Sequence, residues 1–316
     1  MLFKNSIKIL FSNFGLVWKS MLYFLIIIAL SITGIYLCLS PVVELLEANG
    51  YIAKFVELYT DFITSLNLAG FFESVSVHID KIFEFVVSNI SRMWFNFTLI
   101  AIIIFFAYFC FSNMVIMAYC NSLHLNMGSM AKQGFFLSYK QVFAKNFRYQ
   151  LVNFLIMLPI KALTIALFIW SLRLFSYSWW VSILAVFVII LGYILIMSLR
   201  TSVFSAWVPT MIVMDYGVFK ALRVSVKTSL RRFGRVFAGS IGITLFIICI
   251  NFLCGLCTFM VGLIITLPAT YLLLAVFGMV VAYEGQGMRY YVDVYNVITP
   301  MKKERTDRLK DMKFII

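Results

Sequence analysis

Trp179-Trp-Val-Ser-Ile-Leu-Ala-Val-Phe-Val-Ile-Ile-Leu-Gly-Tyr-Ile-Leu-Ile-Met-Ser-Leu199 runs without a charge until Arg200. A helix needs about 20 apolar residues to cross the hydrocarbon core of a bilayer. Residues 22–39, 94–120, 236–258 and 261–283 are also charge-free and at or near that length. The whole chain is 63% hydrophobic and 12% charged, whereas a soluble domain is about half apolar and about a quarter charged. The surplus cannot fit inside one core, so it must face lipid. A β-barrel would show alternating segments of about ten residues instead. The expected fold class is therefore all-α: a polytopic integral membrane protein with about six transmembrane helices in a single membrane domain, 1–316.

Outward from the opening stretch, residues 1–19 mix Lys4, Lys8 and Lys19 with Leu2, Phe3, Ile7, Leu10, Phe11 and Phe14, as in a basic amphipathic helix lying on a membrane. The apolar run after Lys19 is too long for the core of a cleaved signal, so it is expected to stay as a span at about 20–43. A first hairpin, 20–120, carries a polar insertion at 44–92 with seven acidic residues against Lys54, Lys81 and Arg92. Helical spacing of Phe55, Leu58, Phe62 and of Ile79, Ile82, Val86 predicts two amphipathic helices joined near 67–70. The second span is expected at 93–120. A basic cytoplasmic segment, 121–149, precedes a second hairpin, 150–214, with an external turn at 176–178. A basic interfacial helix, 215–235, leads into a third hairpin, 236–288, and a basic tail, 289–316.

The proposed cytoplasmic segments hold three, four, six and seven Lys or Arg, twenty of the 26 in the chain. That bias sets both termini in the cytoplasm. A net charge of +13 would suggest nucleic acid on a soluble protein. Here it reads as topology and contact with anionic lipid headgroups, and no nucleic acid is expected as partner.

Two basic segments share a pattern. Ser6-Ile-Lys8-Ile-Leu-Phe11-Ser-Asn-Phe14-Gly15-Leu-Val17 and Ser225-Val-Lys227-Thr-Ser-Leu230-Arg-Arg-Phe233-Gly234-Arg-Val236 both fit Ser-x-Lys-x-x-[Phe/Leu]-x-x-Phe-Gly-x-Val. Ser138-Tyr-Lys140-Gln-Val-Phe143-Ala-Lys-Asn-Phe147 is one residue longer before its second Phe. The chain thus reads as three hairpin units, each preceded by a basic amphipathic interfacial helix. Lys8, Lys140, Lys227, Arg231, Arg232 and Arg235 are the expected lipid-headgroup contacts.

The stretch Val208-Pro209-Thr-Met-Ile212-Val-Met-Asp215-Tyr-Gly217-Val-Phe-Lys-Ala221-Leu-Arg-Val-Ser225, with Arg289-Tyr290-Tyr291-Val-Asp293 in the tail, carries a resemblance. It resembles the membrane domain that precedes the catalytic domain in some bacterial glycerophosphodiester phosphodiesterases, and its stand-alone bacterial relatives. The 316 residues are expected to leave no room for a phosphodiesterase barrel. The resemblance implies a membrane scaffold in a lipid context, without the hydrolase activity. In physical terms Pro209 should end or kink the fourth helix, Asp215 should cap the next one and Gly217 should ease the turn into it. Ala221 and Ser225, small and one turn apart, should let that helix pack closely.

Lys161, two residues after Pro159, is the most unusual residue of the spans. A mid-bilayer charge costs about 2.5–3.5 kcal/mol on insertion scales and often faces a polar cavity. It reads either as a cation binding substrate or headgroup, or as a snorkelling residue or a strut to Glu284. Asn153 and Asn251 complete the candidate intramembrane polar site, with interhelical hydrogen bonding as their default. Cys254 and Cys257 form a CxxC, but no second pair or nearby His accompanies them, so helix packing is the better reading. His78 and His124 fall on opposite sides of the membrane. No phosphate-binding loop, zinc motif or nucleophile elbow is present. The expectation is a non-enzymatic membrane protein that binds or organises lipid or a partner membrane protein, with no cofactor and no metal. The alternative is a transporter or lipid-translocating protein with its polar site around Lys161.

Overall fold

The computed structural model describes residues 2–107, 114–172, 179–293 and 296–299. Cys110, the turn at 176–178 and the tail beyond 299 lie outside them. The described chain is helical apart from one short β-hairpin. The helices are α1 (Leu2–Ser12), α2 (Gly15–Ala48), α3 (Tyr51–Ser65), α4 (Leu68–Ser88), α5 (Ile90–Phe106) and α6 (Met114–Ser129). They continue as α7 (Phe135–Leu172), α8 (Trp179–Phe204), α9 (Trp207–Val213), α10 (Val218–Arg231), α11 (Phe233–Cys257) and α12 (Leu263–Gln286). β1 (Tyr290–Tyr291) pairs antiparallel with β2 (Val297–Ile298), Tyr290 opposite Ile298.

Among the described residues five helices are long and apolar enough to cross a membrane, or six if α4 and α5 count as one broken span. The protein is thus an all-α, multi-pass membrane protein. Its chain divides into two compact units, Met1–Leu25 with Cys110–Ile316, and Ile26–Phe109.

In the larger unit α12 is the axis. It contacts α1, α6, α9, α10 and α11, and from Leu272 to Tyr283 nearly every side chain is buried. A helix apolar all round belongs in a core. Ala275, Gly278, Ala282 and Gly285 are spaced so that they share one face, and small residues let neighbouring backbones approach. A Cβ on Gly278 would sit 2.2 Å from the Ser205 carbonyl oxygen, and one on Gly285 would sit 2.1 Å from the Thr228 methyl. α11 leans on α8 through Ser240, whose hydroxyl donates to the Ser198 carbonyl at 2.9 Å.

Several boundaries differ from expectation. The helix of the expected first span, α2, begins earlier, at Gly15, and runs further, to Ala48, through Pro41. The basic segment expected at 121–149 is not one interfacial helix. Its first residues continue α6, whose side chains from Met114 to Met127 are mostly buried. Its later ones run unbroken into the third span as α7. The cause lies in the repeat. The helix breaks at Asn13 and Phe14, ahead of Gly15, and again at Arg232, ahead of the Phe233-Gly234 pair. Phe147 is followed instead by Arg148, a good helix former, whereas Gly costs about 1 kcal/mol relative to Ala.

In the smaller unit α2 and α5 approach closely, with Ile103 packed over Gly34. α3 and α4 form the expected hairpin. Leu66 takes a left-handed conformation (φ 50°) and Asn67 caps α4, accepting from the Gly70 amide at 3.1 Å.

Candidate functional site

The repeated serines are the first polar groups placed by the fold. Ser6, Ser138 and Ser225 are all fully buried, while Lys8, Lys140 and Lys227, two residues on, are all exposed. Two residues advance a helix by about 200°, so one motif points its small residue into the core and its cation away from it. Positions four after each Ser, namely Leu10, Val142 and Ser229, are buried too. Arg231 and Arg235 are also exposed, and Arg232 is half-buried.

A polar cluster lies where α12 ends. Gly287 adopts φ 64° and closes the helix. Its amide bonds the Glu284 carbonyl at 3.1 Å and the Met288 amide bonds the Tyr283 carbonyl at 2.9 Å. This paired C-terminal closure needs a left-handed residue, which Gly supplies. It turns the chain so that Tyr290, fully buried, lies back against α12. The Tyr290 hydroxyl donates to Glu284 Oε1 at 3.1 Å and accepts from Asn5 Nδ2 at 3.1 Å. The Tyr283 ring meets Tyr290 edge-on, and its hydroxyl lies 2.7 Å from His124 Nδ1. Asn126 Nδ2 donates to Asn13 Oδ1 at 2.7 Å, and Ser12 donates to the Val292 carbonyl at 3.4 Å. Five hydrogen bonds and a ring contact thus join α1, α6, α12 and the tail. A cavity of about 10 Å³ beside them is lined by Glu284, Thr228, Arg232 and Arg235 with Leu2, Val236 and Val281, room for about one water.

Burial shifts the titration of this cluster. It pushes the His124 imidazole below its ordinary value of 6.5, and burial, with Glu284 beside it, pushes the Tyr290 phenol up. A His whose folded pKa is depressed contributes stability that is complete above the unfolded value. That stability is lost as pH falls below it, because the unfolded chain binds the proton first. Unfolding temperature is therefore expected to drop between about pH 7.5 and about pH 5.5. His124→Gln should flatten that slope. An unchanged slope in the variant would assign the acid sensitivity to other groups.

The four residues of the expected intramembrane site are not gathered in one place. Asn251, on α11, donates to Thr270 Oγ1 at 3.1 Å. Glu284 lies fourteen residues beyond Thr270 on α12, roughly 21 Å further along the axis, and takes Tyr290 as its hydrogen-bond partner. Asn153 and Lys161 are half-buried on α7. None of the three lines the α12 cavity.

Among the family-motif residues, Pro209 and Asp215 take other roles than expected. α8 ends at Phe204, ahead of Pro209, which sits in the first turn of α9. There a missing N–H costs no helix bond. Asp215 does not cap α10. Gly217 holds the cap position with φ −66° and no side-chain bond. Asp215 adopts φ 50° and accepts from Lys145 Nζ at 2.6 Å, while the same ammonium donates to the Met211 carbonyl at 2.8 Å. The Lys145 bond and charge hold the Asp215 carboxyl below its usual range. Ala221 and Ser225 are fully buried.

Sequence reasoning missed Trp207, Tyr283, Tyr290 and Gly278 as organisers. The small-residue stripe on α12 was the available signal for Gly278. His78 and His124 belong to different units. Among the described residues no group of three or more His, Cys, Asp or Glu is placed to hold a metal ion. No family model, curated protein or solved structure matches the chain.

Proposed function

We propose that this chain is a non-enzymatic scaffold of a bacterial cytoplasmic membrane, with both termini cytoplasmic, that holds anionic lipid and organises lipid or a partner membrane protein around it. In this reading it is built from three hairpin units, each introduced by a basic face at the cytoplasmic surface. One observation carries the proposal. At three places in the chain a serine is locked into the core and the lysine two residues later is left exposed. A packing role alone requires the serine but not the cation. Three recurrent cations fit a surface of lipid phosphates, each contributing about 1 kcal/mol near an anionic leaflet. The likeness of the 208–225 motif to membrane domains of lipid-handling enzymes gives the same context.

The combined variant Lys8→Gln, Lys140→Gln and Lys227→Gln tests it. Reconstituted wild-type protein should retain phosphatidylglycerol over phosphatidylcholine, measured by mass spectrometry of retained lipid. Losing about 3 kcal/mol would cut that preference by about a hundredfold. Equal retention by the variant, with its helicity intact, would sink the proposal.

A further inference from the structure

In the smaller unit the α3–α4 hairpin has more surface than its own packing uses. Its two helices run antiparallel. The Phe62 and Phe71 rings lie tilted with centroids 4.7 Å apart, Tyr51 meets Phe85 at 5.0 Å, and His78 Nε2 lies 2.9 Å from the Tyr51 carbonyl oxygen. Beyond this seam lies a second apolar stripe. Phe55, Tyr59 and Ile63 on α3, and Ile79, Phe83 and Val87 on α4, are about half exposed or more. On α3 this stripe lies about 70° from the seam and on α4 about 140°, in the same rotational sense along its own chain. Because the helices are antiparallel, the same sense puts both stripes on the same side of the hairpin. Glu57, Asp61 and Glu84 fall on the other side together with the exposed Lys54 and Lys81, and Asp80 sits at the edge beside Val87.

The orientation of this two-sided slab is set by its neighbour. The described part of α4 from Glu73 to Ser88 meets α5 at 98°, across a break of one residue at Asn89. If α5 crosses the bilayer, α4 lies parallel to the membrane plane. Exposed apolar surface then continues through Ile90 to Trp94 and Phe95 at the head of α5, where an aromatic girdle belongs.

We infer that the α3–α4 hairpin is an interfacial platform, its apolar side sunk among the lipid headgroups and upper acyl chains and its charged side facing water. The occupant of the apolar side is the bilayer itself. Continuity with α5 and the right-angle bend favour it over a second protein. Burying Glu57, Asp61, Glu84, Lys54 and Lys81 among acyl chains would be costly, so charge and hydrophobicity impose the same roll on the hairpin. The inference rests on the reading of α5 as a span. It does not rest on which side of the membrane the hairpin occupies, nor on lipid retention by the basic faces.

A fluorescent amino acid introduced by codon suppression at Phe83, and separately at Glu84, in the full chain reconstituted into phosphatidylcholine–phosphatidylglycerol vesicles provides the test. The quenchers are lipid spin-labelled high on its acyl chain, and iodide present on both sides of the vesicle. The Phe83 probe is expected to be quenched by lipid and spared by iodide, and the Glu84 probe the reverse. Ile79 serves as a second apolar position should the Phe83 variant lose helicity. Iodide quenching of the apolar positions as strong as at Glu84 would mean that the hairpin stands off the membrane and would overturn the inference. Shielding of the apolar positions from both quenchers would overturn it in favour of a covering protein chain.

Discussion

Gly278→Ala is expected to destabilise the chain by about 3 kcal/mol, the upper end of the usual cost of overpacking, and to lower the unfolding temperature of the purified protein accordingly. The new Cβ would lie 2.2 Å from the Ser205 carbonyl oxygen and 3.1 Å from Pro209 Cγ. The first contact is with backbone, so no side-chain rotation relieves it. Either α12 moves away from the α8–α9 break, or the break itself shifts. Both responses disturb the most buried stretch of the protein, since Val276, Phe277, Met279 and Val280 flank the site with essentially no exposure. Gly285→Ala should cost less. Its Cβ would meet the Thr228 methyl, and a threonine on α10 has other rotamers to take. Gly192→Ala is the control. Nothing lies within 4 Å of a Cβ there, and alanine is the better helix former by about 1 kcal/mol. The ordering Gly192→Ala, then Gly285→Ala, then Gly278→Ala should appear in thermal unfolding followed by the loss of monodisperse protein. Equal stability of the Gly278 and Gly192 variants would show that α12 and the α8–α9 break do not pack as described.

The reasons for what was legible in the sequence are physical. The spans stand out because a bilayer demands a run of apolar residues, and few other structures do. Which face of a span points inward is not visible in the same way. In α11, Ile243 is fully buried and Leu245 is 43% exposed, yet both are apolar, since lipid and protein interior ask for the same chemistry. That is why α6 could be mistaken for the end of a span followed by a surface segment. Its Met, Val, Tyr and Leu residues suit either place. Small or polar residues broke the degeneracy. The repeated serines mark buried positions, and the Ala275-to-Gly285 stripe marks the closest helix contact. Glu284 could be singled out because it is charged beside a span. Its setting could not, because Asn5 reaches Tyr290 from the other end of the chain, 285 positions away, and no local pattern encodes that meeting. Asp215 departs from the expected cap for a related reason. An acidic residue just before a helix suggests a cap, but a long-range cation, Lys145, claims the carboxylate instead.

Trp207→Ala should be the most damaging single truncation in the larger unit, with a loss of about 3–5 kcal/mol. Trp207 is among the largest fully buried side chains. Its indole packs edge-on against Tyr149 of α7 at 4.9 Å and near Phe204 of α8 at 6.2 Å, and its N–H donates to the Val218 carbonyl at 2.9 Å. One side chain thus ties α7, the end of α8 and the first residue of α10 to the start of α9. Removing it leaves a cavity among helices that have little freedom to collapse, because α9 is held on its other side by Gly278 of α12. It also frees the turn between α9 and α10 that presents Asp215 to Lys145, so the variant should lose that ion pair as well. Trp207→Phe separates the two contributions. It keeps a ring against Tyr149 but cannot donate to Val218, and it should cost about 1 kcal/mol for the hydrogen bond, with a further cost for the smaller volume. A phenylalanine variant as unstable as the alanine variant would place most of the effect in the N–H bond. An alanine variant that unfolds at the wild-type temperature would mean that α9 is not anchored by this residue at all.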